Sequence, residues 1–455
     1  RVQKDFHKGN TSIGGILTSV NRFFSQEHLN FLSKQAYTGG LDFIHYWKER
    51  EYFITANFVG SYISGSQEAI LRLQRSSARY FQRPDANHLA VDSSLSVISG
   101  TGGLIGIGKE GNSKLIAGQK IFWRSPGLDL NDIGYMREAD VIGSQSMVGY
   151  RETKPGKILR SYSVVFSLDY NWDFAGVPVK GRSELETQFV FNNKWTGQVH
   201  LNRFFSARDN RLLRGGYALR TDPYHLIFAT LQTDDSRNLS FNLQYNSAWY
   251  SDGFSYLQRF APGIKIRFSS QFSITSQINY EQNQDALQYV TSFGTEQQPI
   301  AILGALKQKT LGITIRTGFY FTPDFSLQYY GSPFISTGRY VAFRVVTDPL
   351  NESFDQRFYL FRDTETTLAD GNYTLTRGST SYSFPNPDFT MLEFRSNFVA
   401  RWEYKPGSVF YFVWTHQRND YRNIFHPAMD DNMDSLFGLY PENMFLIKLN
   451  YYFSL

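Results

Sequence analysis

No cysteine occurs in the 455 residues. That excludes a disulfide framework, thiolate metal sites and cysteine nucleophiles. No run of about 20 consecutive apolar residues occurs either, so no helix of this chain is built to cross a bilayer. Charge is sparse: 19% of residues carry one, and the net +5 is spread along the chain. Nothing resembles the concentrated basic footprint that nucleic acid needs. The eight histidines (His7, His28, His45, His88, His200, His225, His416, His426) form neither H-E-x-x-H nor H-x-H, and no G-x-S-x-G elbow occurs. The sequence therefore assigns no cofactor, no metal and no catalytic residue. The first residue is Arg1, without a Met or an apolar leader, which reads as a processed or truncated product.

What the chain has in quantity is rings: 40 Phe, 29 Tyr and 7 Trp. They recur with period two. Over 443–455, Phe445, Ile447, Leu449, Tyr451, Phe453 and Leu455 alternate with Met444, Leu446, Lys448, Asn450, Tyr452 and Ser454. Successive strand side chains point to opposite faces, so such a segment has one apolar and one mixed face. Segments 160–172, 237–250, 312–321 and 393–404 repeat the pattern. These strands run to about ten residues or more, against the ~5–6 of ordinary globular strands. A tilted bilayer-spanning strand needs ~9–11. Trp172, Trp249, Trp402 and Tyr404 sit at strand ends, where aromatic girdles of a membrane barrel lie.

Tight connections such as 322–324 and 405–407 alternate with long ones, above all 347–392 and 418–442. Short periplasmic turns and long external loops give outer-membrane barrels that asymmetry. The fold expected is all-β, a transmembrane antiparallel barrel of about 18–22 strands. It forms one domain over 1–455, with 1–11 as lead-in. Residues 64–83 read as a short basic helix, with Arg72, Arg75, Arg79 and Arg83 along one face. A soluble propeller would need shorter strands and a repeating motif, and neither is present.

Several stretches resemble a known family: K-D-F-H-K-G-N-T-S-I-G-G-I-L-T-S-V-N-R at 4–22, R-P-D-A-N-H-L at 83–89, S-P-G-L-D-L-N-D-I-G-Y at 125–135, F-T-P-D-F-S-L-Q-Y-Y at 321–330 and R-W-E-Y-K-P-G-S at 401–408. They are similar to the C-terminal barrel region of a family of Bacteroidota outer-membrane proteins. Its members usually carry an N-terminal carbohydrate-binding family-9-like domain. The resemblance runs from residue 4 to about residue 416. It implies a bacterial outer-membrane location and a link to glycan handling, but carries over no catalytic residue.

Candidate residues follow from the faces. Asp169, Arg316, Glu393, Arg395, Arg401, Glu403 and Lys448 fall on the non-lipid side, where they would select solutes by charge or fill the lumen with ion pairs. The four arginines of 64–83 are candidates for anionic head groups or an acidic partner, or for a solvated face. Asp430, Asp431 and Asp434, and also Asp363, Glu365 and Asp370, are weak calcium candidates against plain loop solvation. The glycines of 100–108 read as a bend or bulge, and 213–220 as a turn. The function expected is a channel, transport or complex-forming barrel without bond chemistry. The alternative is a membrane-embedded hydrolase. Partners expected are outer-membrane lipid and lipopolysaccharide, and other outer-membrane or surface proteins.

Overall fold

The computed structural model describes residues 1–111, 113–132 and 134–453. The first strands are β1 (Val2–Phe6), β2 (Thr11–Asn21), β3 (Ser33–Trp47), β4 (Tyr52–Gly65), β5 (Val97–Lys109), β6 (Leu115–Arg124), β7 (Val141–Glu152), β8 (Leu159–Trp172), β9 (Pro178–Phe191) and β10 (Thr196–Phe204). A small hairpin, β11 (Ala207–Asp209) and β12 (Leu219–Thr221), precedes β13 (Tyr224–Gln232), β14 (Leu239–Tyr250), β15 (Tyr256–Arg267), β16 (Phe272–Gly294), β17 (Pro299–Tyr320) and β18 (Phe325–Val346). Then come β19 (Phe358–Leu360), a three-strand sheet of β20 (Thr366–Ala369), β21 (Asn372–Arg377) and β22 (Thr380–Pro385), and finally β23 (Phe389–Lys405), β24 (Ser408–Arg422) and β25 (Glu442–Asn450). The helices are α1 (Gln67–Gln74) and α2 (Met429–Gly438).

The chain is all-β. One sheet of 20 strands holds everything except the two small sheets, and every pairing in it is antiparallel. Consecutive strands pair, with β10 passing to β13 and β18 to β23. Among the described residues β1 pairs only with β2, and β25 only with β24. Because each step is a hairpin, the turns alternate between the two ends of the sheet, and one end carries only short ones. One is Pro406-Gly407, where Lys405 faces Ser408 and Gly407 takes φ +78°. Proline presets the first turn position and glycine supplies the positive φ of the second. The long connections 66–96, 125–140, 205–223, 347–388 and 423–441 all emerge at the other end. The stretch 1–11, expected as a lead-in, instead forms β1 and the turn into β2.

The two faces differ as the alternation requires. On β14, Leu239, Phe241 and Trp249 are exposed on the outer face, while Ser240, Asn242 and Gln244 point the other way. Rings band the outer face at the tight-turn end: Phe268, Phe272, Phe319, Phe321 and Phe325 form a continuous run with centroids 4.2–5.7 Å apart. Trp402 and Tyr404 stand at that same end, Trp172 and Trp249 at the opposite one. The polar face closes round a cavity lined from β8 to β16, so the sheet curls with that face inside.

Strands β16 to β18 are 22 or 23 residues long, where the sequence pattern alone reads separate strands near 270–281 and 286–294, near 299–307 and 310–321, and near 324–335. The period falters at 282–290 because β16 carries two register shifts there, between Asp285 and Gln288 and between Tyr289 and Thr291. A bulge inserts a residue and flips the alternation without ending the strand. The extra length rises past the rest of the wall and is buried on both faces. Ile302, Leu306, Tyr340 and Phe343 pack with Leu375 and Phe384 of the small sheet. Ala301 and Leu303 pack with Leu213 and Leu219 of the 205–223 loop. The 347–388 loop is therefore a folded unit whose core is shared with β17 and β18.

The second helix was not foreseen. α2 lays Met429, Met433 and Leu436 on Ile335, Leu392 and Phe394, on the outer face of β18 and β23. Asp430 and Asp431 occupy its first turn, where carboxylates complement the helix dipole.

Candidate functional site

Four long loops fold over the polar face at their end of the sheet, held by charge pairs that cross between loops. α1 begins at Ser66, whose hydroxyl accepts the Ala69 amide at 3.1 Å. It ends at Gln74, whose buried amide side chain bonds the Asp92 carbonyl and N–H, both at 2.8 Å. Beyond it come Ser76 and Ser77, poor helix formers, and Tyr80 at φ +51°. The expected helix over 64–83 is thus confined to 67–74, and its arginine stripe does not form.

Each arginine goes to a different partner instead. Arg72 lies over the Phe31 ring, 4.8 Å from its centroid. Arg75 reaches Glu296 between β16 and β17 at 2.8 Å. Arg79, buried, meets buried Asp129 at 2.8 Å. Burial pushes its guanidinium below the ordinary arginine range, and Asp129 works against that shift. Arg83 meets Asp140 at 3.5 Å, and His88 Nε2 meets the same carboxylate at 2.9 Å.

The other clasps tie the remaining loops. Asp85 accepts the Ala218 amide at 2.7 Å. Glu138 pairs with Arg124 at 3.1 Å and Arg211 at 3.5 Å. Arg357, fully buried, grips Asp222 with both terminal nitrogens at 2.8 and 2.9 Å. It also donates to the carbonyls of Asn351, Arg220 and Glu352. Such a fork is the strong form of a charge-assisted bond. The glycines of 100–108 serve the same assembly. β5 pairs with β4 and β6 without a register shift, so they mark no bulge. A Cβ on Gly100 would lie 2.1 Å from the Leu128 backbone nitrogen, so the 125–128 segment rests directly on bare backbone. In 213–220, Arg214 and Gly215 turn the β11–β12 hairpin with positive φ.

Beneath the cap lies a cavity of about 680 Å³, within the ~300–1,000 Å³ of small-molecule sites. Phe204, Tyr224 and Tyr250 of three successive wall strands stack along its side, with centroids 4.3 and 4.6 Å apart. Lys180 stands 5.7 Å over Phe204. Arg137, Asp209, Asp252 and Asp285 complete a lining of both charge signs. Stacked rings present their edges, and the tyrosines their hydroxyls, toward the space. Such a lining offers many hydrogen-bond partners and no dominant charge.

Of the residues singled out by sequence, Arg79 and Arg83 line this cavity. The wall candidates sit elsewhere on the sheet face that carries Asn171, which does line it. Asp169 pairs with Arg182 at 2.6 Å, and Arg401 with Glu403 at 2.6 Å. Glu393 contacts Arg395. Arg316 lies over the Tyr330 ring at 5.1 Å, and Lys448 stands opposite Tyr411. Sequence reasoning missed Lys180, Asp209, Arg211, Asp222, Tyr224 and Tyr250. For Asp209, Arg211 and Asp222 the signal was the density of Asp and Arg in 205–223, of which only 213–220 was read, as a turn.

The calcium candidates do not converge. Asp430, Asp431 and Asp434 stand along α2, and Glu365 already accepts the Arg362 amide and the Tyr359 hydroxyl at 2.9 and 2.7 Å. Among the described residues, His88, Asp140 and Asp173 do bring ligand atoms within 4.8 Å of one another. Both carboxylates already have partners: Asp173 Oδ1 accepts the amides of Ala175 and Val177, and Asp140 holds Arg83, His88 and the Phe174 amide. The group reads as a clasp.

Comparison with solved structures finds the ferric enterobactin receptor (PfeA) of Pseudomonas aeruginosa in several forms. A mutant in complex with enterobactin is 7% identical, with a TM-score of 0.41, over 97% of this chain and 73% of that one. A second mutant gives 8%, 0.40, 97% and 72%. No curated protein matches the chain. The family described as domain of unknown function DUF5916 matches residues 8–455, and the chain therefore belongs to that family.

Proposed function

We propose that the chain is an outer-membrane β-barrel of transport type, closed on its outer side by an ion-paired cap, with a ligand chamber beneath. The observation that carries this is the cap itself: loops far apart in sequence converge on one cavity at the mouth of a sheet whose outer face is apolar. The ring bands at both strand ends favour a bilayer setting. The long loops then face outside the cell, and outer-membrane lipid, lipopolysaccharide and neighbouring surface proteins are the surroundings. The chamber's edge-on rings, hydroxyls and balanced charges suit a polar, weakly charged solute. A glycan fragment is one, in keeping with the resemblance of 4–22 and 401–408 to a glycan-linked family. The hydrolase alternative has little to stand on. The hydroxyl held by imidazoles among the described residues is Thr11, between His7 and His45 at 3.2 and 2.8 Å, and neither ring bonds a carboxylate.

Planar-bilayer conductance tests the proposal. The native protein should give no steady steps, while the pair Asp129→Ala and Asp140→Ala, which releases Arg79 and Arg83, should give large ones. Large steady steps from the native protein would overturn the capped reading. So would a silent double variant shown to be folded by its heat-modifiable gel mobility.

A further inference from the structure

The charges that line the chamber nearly balance, but the bonds they make do not. Every acidic side chain in the lining already accepts from the protein. Glu138 pairs with Arg124 and Arg211, and Asp222 with Arg357. Asp140 accepts from His88 at 2.9 Å and from the Phe174 amide at 3.0 Å. Asp209, Asp252 and Asp285 accept the amides of Arg211, Phe254 and Leu287 at 2.8–2.9 Å.

The cations are spent less evenly. Arg79 and Arg211 are paired, with Asp129 and Glu138. Arg83 is only 6% exposed. Among the described residues its guanidinium nevertheless makes a single hydrogen bond, to Asp140 at 3.5 Å, and its Nε makes none. A guanidinium carries five N–H donors, and a buried donor left without an acceptor is costly. Arg137 and Lys180 line the same space, and among the described residues neither pairs with a carboxylate.

These three cations gather at one end. The turn from β8 to β9 supplies the Phe174 amide that Asp140 accepts, and Lys180 stands opposite Asn171 beside that turn. Arg137 precedes Asp140 by three residues. Asp252 and Asp285 belong to the other end. They are linked through Ser255, whose hydroxyl donates to Asp252 at 2.5 Å and accepts the Ala286 amide at 2.9 Å. Between β9 and β16 the sheet passes through β10, β13, β14 and β15. That is about 24 Å round the wall at ~4.8 Å a step.

We propose that the chamber takes a sugar bearing one carboxylate, a uronate, with its carboxylate on Arg83, Arg137 and Lys180 and its hydroxyls toward Asp252 and Asp285. This rests on the transport reading above and names the ligand class of the same chamber. A guanidinium matches a carboxylate as a fork. Arg83 has donors to give, because His88 and the Phe174 amide hold Asp140 without it. Carboxylates that accept amides but pair with no cation keep lone pairs for hydroxyl donors. They also repel a second negative charge, which favours a monoanion over a dianion.

Three sugars of one ring test this: galacturonate, galactose and galactose 6-phosphate, each titrated by calorimetry into the detergent-solubilised chain. Galacturonate should bind about tenfold or more tighter than galactose, the worth of one charge-assisted hydrogen bond. It should also bind tighter than the phosphate, which is close to a dianion at neutral pH. The double variant Lys180→Gln with Arg137→Gln removes two charges that hold no partner, and its folding is checked by heat-modifiable mobility. It should cut the preference for galacturonate over galactose by about tenfold. The inference is overturned if galactose binds as tightly as galacturonate, if the phosphate binds tighter, if no sugar binds, or if the double variant keeps the full preference. Conductance judges the transport reading separately, so a cap that opens as expected over a chamber indifferent to the carboxylate defeats this inference alone.

Discussion

Arg357 is the residue on which the cap's two outer loops most depend. It is fully buried, and its five bonds join 347–358 to 205–223. Arg357→Ala strands the Asp222 carboxylate and three carbonyls. Removing one partner of a buried pair costs about 3–5 kcal/mol. Asp222 keeps 19% of its side chain exposed, so water softens the loss and the lower end, about 3 kcal/mol, applies. At 1.4 kcal/mol per factor of ten, that is roughly 150-fold in the opening equilibrium of the two loops. Amide hydrogen exchange reads it directly, at residues 207–221 and 347–360. The wall strands should be unaffected, and so should heat-modifiable mobility. Removing Asp222 as well, in Arg357→Ala with Asp222→Ala, should recover part of the loss, because the stranded charge goes with it. Exchange in those loops within twofold of the native protein would show that the Arg357 fork does not hold the cap.

Two further outcomes follow from the same cap. Gly100→Val places a side chain where Leu128 backbone now lies; the 125–140 loop should lift, seen as protease cleavage there, while β5 stays paired, and an uncut loop would refute the close approach. Acid should loosen the 91–96 segment. The Ser94 hydroxyl, and then its amide, hold the Asp92 carboxyl below its ordinary value. A lowered folded value means its stabilisation is complete above the unfolded value of about 3.9 and lost as pH falls through the folded one. Exchange at 91–96 should therefore rise on going below about pH 4, and Asp92→Asn should flatten that rise; an unaltered profile in the variant would count against the Asp92 contacts.

Much of the wall is legible because a strand with one apolar and one polar face must alternate at every step. Segments 160–172, 237–250 and 393–404 show it and lie within β8, β14 and β23 or at most two residues beyond their ends. Where a bulge shifts the phase, as at 285–291 in β16, the alternation breaks and one strand reads as two. The glycines of 100–108 misled differently: read as a bend or bulge, they lie inside one unbroken strand, 97–109, and the 88–96 stretch before it belongs to the cap. The arginines of 72–83 are spaced three and four apart, which fits a helix, yet tertiary pairing sends each to a separate partner. Spacing reports local geometry and is silent on a carboxylate 50 residues away, which is where Arg79 finds Asp129. The chamber is illegible for that reason. Its rings come from β10, β13 and β14 in register, and most of its charges from loops with no period at all.

The two halves of the molecule therefore rest on different physics. Most wall strands pair with their neighbours in sequence, so most of the wall forms from hairpins with short closure distances. The cap is made of contacts 57, 135 and 221 residues apart, at Arg83–Asp140, Arg357–Asp222 and Arg75–Glu296. These form only after the wall has brought its distant rims together. The cap is also held largely by ion pairs, several of them half-exposed, such as Arg75–Glu296 and Arg211–Glu138. Exposed pairs contribute at most about 1 kcal/mol each. The last unit to assemble is thus also the one that opens at least cost. Under the transport function proposed above, a barrel that stays sealed yet admits a solute needs its weak point at the mouth, and that is where the charge pairs of 66–96, 125–140 and 205–223 stand.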